Sequence, residues 1–119
     1  MENAIIKEGI MLITTTNTVE DHKVTNYKGI VFGEVITGVN FFKDIGASFR
    51  DLIGGRSKGY EEELMHAREE ALSEMGQRAR SLGADAVIAA KVDYEVLGQN
   101  GSMMMVIASG TAVNLEKVL

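Results

Sequence analysis

GGRSKGYEEELMHAREEALSEMGQRARSLG, residues 54–83, is the stretch on which the architecture of this chain turns. It reads as a glycine loop feeding one long amphipathic helix. Tyr60, Leu64, Ala67, Ala71, Met75 and Leu82 recur at steps of three and four, or multiples of them, which puts them on one face. Gly76 and Ala79 add small side chains, so the helix can lie close on whatever it covers. Glu61, Glu62 and Glu63 stand in the first turn and Arg78 and Arg80 near the last, each where the helix dipole favours its sign. Gly83 supplies a C-terminal stop.

On the N-terminal side, residues 11–15 and 27–37 read as strands, with a polar loop over residues 16–26 between them. A first helix over residues 41–53 follows, capped by Asn40, with Phe41, Ile45, Phe49 and Leu52 on its buried side. On the C-terminal side, residues 86–97 alternate as a strand should. Ile88, Ala90, Val92, Tyr94 and Val96 share one face, and Lys91, Asp93 and Glu95 the other. Gln99-Asn100-Gly101 is a turn signal, and residues 103–113 form a last strand. Gly110 within that strand marks a bulge or a close backbone approach. The order β-β-α-α-β-β makes a two-layer α+β subunit, with two helices covering one face of an antiparallel-rich sheet. Residues 11–119 form one domain, preceded by an extension over residues 1–10.

This layout has a consequence. Two of the strands are apolar on both faces. In residues 30–37 one face carries Ile30, Phe32, Glu34 and Ile36, and the other Val31, Gly33, Val35 and Thr37. In the last strand Met103, Met105 and Ile107 oppose Met104, Val106 and Ala108. Helices on one side leave the other exposed, and an apolar patch of that kind marks an interaction surface. The expected cover is a second copy of the chain, against the plainer alternative that the N-terminal segment folds back over it.

The totals narrow the function classes. The chain has 119 residues, a formal net charge of −5, 45% hydrophobic and 24% charged residues, and neither cysteine nor proline. An acidic chain argues against nucleic-acid binding and against attraction to anionic lipid. The lack of cysteine excludes disulfides, thiolate metal ligands and thiol catalysis. Residues 96–115 are uncharged over a membrane-like length, but the Gly98–Gly101 turn signal breaks them, so no membrane span is expected. The acidic start, Met1-Glu2-Asn3, is unlike a signal peptide, and the expected location is the cytoplasm.

Met-Leu-Ile-Thr-Thr-Thr from Met11, Gly-Gly-Arg-Ser-x-x-Tyr-Glu from Gly54 and Ala-Arg-Glu-Glu-Ala-Leu-x-Glu-Met from Ala67 together resemble the YbjQ-like family. Leu-Gly-Ala-Asp-Ala-Val from Leu82, Val-Asp-Tyr-Glu from Val92 and Ala-Ser-Gly-Thr-Ala-Val from Ala108 extend the match from Met11 to about Leu115. The resemblance implies a subunit similar to the dodecin-type fold, assembled as a ring of five copies. It also brings a heavy-metal-binding label. A cysteine-free chain sits poorly with a soft metal, because thiolate is the ligand such an ion seeks.

Several residue groups are candidates for chemistry. The loop over residues 54–59 contains Gly-x-x-x-x-Gly, but Tyr60-Glu61 follows where a phosphate loop needs Lys-Ser/Thr. A looser ligand site would use Arg56, Ser57, Tyr60 and backbone N–H groups, against an interhelical turn as the plainer reading. Asp93, Tyr94 and Glu95, with Arg50 or Arg56 of a neighbouring copy as counter-ion, would line a boundary pocket or form an intersubunit salt bridge. Glu63-x-x-His66, with Glu62 and Glu70, has the spacing of a carboxylate–imidazole site for a divalent metal ion. One such copy is insufficient unless symmetry multiplies it, and a solvated helix face explains it more simply. Met103, Met104 and Met105 alternate faces and cannot converge on one ion.

No nucleophile or triad emerges. The leading reading is a non-enzymatic homo-oligomer with a ligand or metal site at its subunit boundaries. The alternatives are a metal-dependent hydrolase or transferase using Asp93, Glu95 and His66, and a purely structural scaffold.

Overall fold

Gly33 and Ala71 hold the two layers together. In the computed structural model a Cβ on Gly33 would overlap the carbonyl oxygen of Ala71, so the helix backbone rests directly on the strand. The structure describes residues 11–38, 58–101 and 103–118. Their elements are β1 (Leu12–Ile13), β2 (His22–Thr37), α1 (Lys58–Ser81), β3 (Ala86–Leu97), a 3-10 turn (Gln99–Gly101) and β4 (Met103–Lys117). The strands form one sheet in the order β1-β3-β4-β2. β4 pairs antiparallel with both β2 and β3, and β1 pairs parallel with β3. The fold is mixed α+β, a four-stranded sheet carrying one helix among the described residues. The helix expected over residues 41–53 lies outside them.

α1 buries Ala67, Ala71, Met75 and Ala79 against Val31, Val87, Ala90, Val106, Ala108 and Ala112. Three of its four inward side chains are alanine, which is why the helix sits so near the sheet. Gly83, at φ +78°, ends it as expected. Leu82 was expected on the buried face but is 46% exposed, because α1 stops one residue earlier, at Ser81.

β2 starts at His22, well before Tyr27, where the strand was expected to begin. Bulges between Val24 and Asn26 and between Tyr27 and Gly29 break its two-residue period, so a polar loop was the natural reading. β4 likewise runs on to Lys117 rather than ending near Val113. β1 is shorter than expected, although Thr14 and Thr16 still bond to β3 through Thr14 N–H to Val87 O and Ala89 N–H to Thr16 O.

β3 has the expected bounds and an unexpected kink. A register shift between Ile88 and Lys91, with Ala89 at φ +52°, turns the strand over. Ile88 therefore does not share a face with Ala90 and Val92. It joins Leu12, Val19, Ala86 and Val113 in a second, smaller core on the side of the sheet away from α1. Gly110 lies opposite this kink, and a Cβ there would fall 2.5 Å from Val87 Cγ1. The expected close backbone approach is real. Asp85 fastens the α1–β3 turn to β4 by accepting hydrogen bonds from Leu115 N–H (2.8 Å) and Asn114 Nδ2 (3.2 Å).

Candidate functional site

The sheet face away from α1 is only half covered. At one end Val19, buried together with Leu12, Ile88 and Val113, closes it. Beyond that core the register lines up open rows across β2, β4 and β3: Phe32–Ser109–Lys91, Glu34–Ile107–Asp93 and Ile36–Met105–Glu95. Ile30 is 71% and Ile36 58% exposed, and Phe32 is also exposed. Met103, Met105 and Ile107 lie half-buried along β4. The apolar strip on β2 and β4 is thus bordered along β3 by Lys91, Asp93 and Glu95. Lys91 Nζ lies 3.5 Å from Asp93 Oδ1, both well exposed.

Alternation splits the Asp93-Tyr94-Glu95 triplet. Asp93 and Glu95 face the open side, whereas Tyr94 faces α1 and accepts a hydrogen bond from Arg68 Nη1 at 3.3 Å. Glu62, His66 and Glu70 are exposed on α1, with Glu63 half-buried beside them. His66 and the Asp93/Glu95 pair lie on opposite sides of the sheet, so one chain does not join them in a single catalytic group. Tyr60 lies in the first turn of α1. Arg50, Arg56 and Ser57 lie outside the described residues.

The sequence reading missed a polar clamp on the outer edge of β2. Arg78 Nη1 donates to the Phe32 carbonyl at 2.7 Å, and its Nη2 lies 2.7 Å from Glu74 Oε1. Glu34 completes the group, its carboxylate 3.6 Å from Arg78 and its N–H donating to Glu74 Oε1 at 3.4 Å. Two signals pointed to it: the i,i+4 spacing of Glu74 and Arg78, and Glu34 as the lone acid in a largely apolar strand. On the other flank of α1 a groove of about 380 Å³ lies against Met11 and Ile13, its rim mixing Glu69, Ser73, Gln77 and Arg80.

A heavy-metal centre does not fit the described residues of one chain. There is no cysteine, and no group of three or more His, Asp or Glu capable of holding an ion occurs among the described residues. No described helix is long and apolar enough to cross a membrane.

Comparison with known proteins gives a family and a fold. A family model described as "Putative heavy-metal-binding" matches residues 11–116. A UPF0145 protein of Bifidobacterium longum (strain DJO10A) is 58% identical over 108 residues, covering 91% of this chain and 98% of that one. A UPF0145 protein of Listeria ivanovii is 60% identical over 106 residues, covering 89% and 96%. A crystal structure from Pediococcus pentosaceus, of a protein with unknown function in the DUF74 family, superposes with a TM-score of 0.61 at 21% identity. The match covers 89% of this chain and 98% of that one. At that identity the likeness speaks for the fold alone.

Proposed function

The chain belongs to the YbjQ-like family whose model it matches, and from that premise we propose that it is a non-enzymatic, cytoplasmic homo-oligomeric subunit. Identical neighbours cover the open face of the sheet, in a dodecin-like ring of five, and the boundary between them binds a ligand or a divalent cation. The observation that carries this reading is the open face itself, an apolar strip flanked by Asp93 and Glu95. Fully burying an aliphatic or aromatic side chain is worth about 1.5–3 kcal/mol. Ile30, Phe32 and Ile36 retain much of that gain while exposed. Several such side chains on each copy are of the size needed to offset an association cost of about 4–15 kcal/mol.

The chemistry of the boundary follows from its donors. Among the described residues one chain holds no group of three or more metal-ligating side chains, and in the proposed assembly the bound species is held by residues of two copies. Carboxylate oxygens from Asp93 and Glu95 suit a hard divalent cation or a cationic ligand, not a thiophilic metal. Native mass spectrometry of the purified assembly, with elemental analysis of the same sample, tests this. The expected result is a multimer carrying a bound species, which the Asp93→Asn/Glu95→Gln variant loses while still assembling. A clean multimer with nothing bound and no ligand-induced melting shift contradicts the binding half of the proposal and leaves a scaffold.

A further inference from the structure

β1 leaves both side chains and backbone uncovered at the end of the sheet. Met11 and Ile13, with Leu72 of α1, floor the groove beside the helix, and all three are apolar and half-buried. Thr14 N–H donates to Val87 O, and Thr14 O accepts from Ala90 N–H. Ile13, one residue earlier, therefore directs its own N–H and C=O away from β3. β1 is the end strand, and among the described residues nothing meets those two groups.

The helix wall of the groove carries a glycine that β1 does not require. Gly76 stands inside α1, where glycine is less favourable than alanine. A Cβ there would meet Met11 Cβ at 3.4 Å and Ile13 Cδ1 at 3.5 Å, ordinary van der Waals separations. The missing side chain instead deepens a groove of about 380 Å³ down to the helix backbone, a shape that receives a further side chain.

We propose that residues 1–10 of the same chain double back along β1, add a strand to its outer edge and seat an isoleucine in this groove. The segment reads Met-Glu-Asn-Ala-Ile-Ile-Lys-Glu-Gly-Ile and precedes the family match, which begins at residue 11. Leu12 pairs with Ala86, just past the end of α1 at Ser81, so the chain enters at the Arg80 end of the groove. A return toward Glu69 needs a turn there, and Lys7-Glu8-Gly9 supplies polar residues and a glycine for it. A turn of about four residues leaves about six, which span about 20 Å when extended. The helix wall from Glu69 to Arg80 is about 16 Å long, within that reach. Neighbouring side chains of a strand face opposite ways, so Ile5-Ile6 puts one isoleucine over the groove in either register. The other falls on the Leu12 side, where the smaller core lies. Being tethered, the segment holds this ground at high effective concentration against any free ligand. The contact is independent of the homo-oligomeric reading, because a segment so seated leaves the open sheet face uncovered.

A single spin label tests this, since the chain has no cysteine of its own. A nitroxide on full-length Asn3→Cys should broaden the amide resonances of Leu72, Ser73 and Gly76 and leave those of Ile36 and Met105 sharp. Broadening of Ile36 and Met105 in place of the α1 amides would place the segment over the open face, and broadening of neither set would leave it undocked; both results overturn the proposal. Broadening of isotope-enriched chains that carry no label, in a mixture with labelled ones, overturns it too, because the segment then reaches a neighbour. Adding Ile5→Asp and Ile6→Asp should abolish the α1 broadening. The same pair of changes should speed exchange of the Ile13 amide by about 10-fold or more, with the Thr14 and Ala90 amides still protected. Ile5→Val with Ile6→Val should behave like the wild type. An Ile13 amide that exchanges equally fast in the wild type and the aspartate variant would contradict the added strand.

Discussion

Gly33 and Ala89 carry backbone requirements that no pattern of hydrophobicity reveals. Gly33 was legible only as one small residue in an apolar strand, yet it sets the distance between the layers because Ala71 O occupies the space of its missing Cβ. Gly33→Ala must push α1 off the sheet. A loss near the upper end of the overpacking range, about 3 kcal/mol, is expected in chemical denaturation, with the midpoint falling accordingly. Ala89 is the opposite case. Its φ of +52° is disfavoured for any residue with a side chain, and its side chain is exposed. Ala89→Gly should raise stability by up to about 1 kcal/mol, seen as a higher melting temperature. An unchanged or lower value would mean that the bulge is not held in this conformation in solution.

At the level of elements, α1 and β3 could be read from periodicity, because one face of each is packed and the other differs from it, and β4 from its apolar run after a turn signal. β2 was legible over its second half only. Its first half lost the alternating signal to the bulges at Thr25 and Lys28, each of which inserts a residue with no partner in β4. The face assignment within β3 failed for the same reason. A turn-over at Ala89 moves Ile88 to the far core, and alternation counted through it gives the wrong side. The β2 clamp was only partly visible, because its strand residues lie 40 or more residues from its helix residues in the chain. Arg78→Ala leaves the Phe32 carbonyl to solvent and frees Glu74, the acceptor of the Glu34 N–H, from its ion pair. Since Arg78 and Glu34 are half exposed, the stability cost should be small, about 1 kcal/mol. The larger effect should be on solubility, with light scattering showing concentration-dependent association through the unguarded edge.

For the molecule as a whole, the sequence made one structural expectation testable: β2 and β4 apolar on both sides, with helix on one. The structure leaves Ile30, Phe32 and Ile36 exposed on the far side, as that pattern requires. The candidate site was less legible. Asp93 and Glu95 were identifiable as a pair on one face, but their position beside an apolar strip depends on a three-strand register that only the fold supplies. Phe32→Glu places a charge in the middle of this strip, in the same row as Lys91. The variant should stay folded, within about 1 kcal/mol of the wild type, and should fail to assemble. If it assembles normally, copies do not meet through this face. The most direct test needs no substitution. In sedimentation velocity at low micromolar concentration, the wild-type chain should run as one closed multimer; a single folded species with the mass of one 12.9 kDa chain would contradict the account.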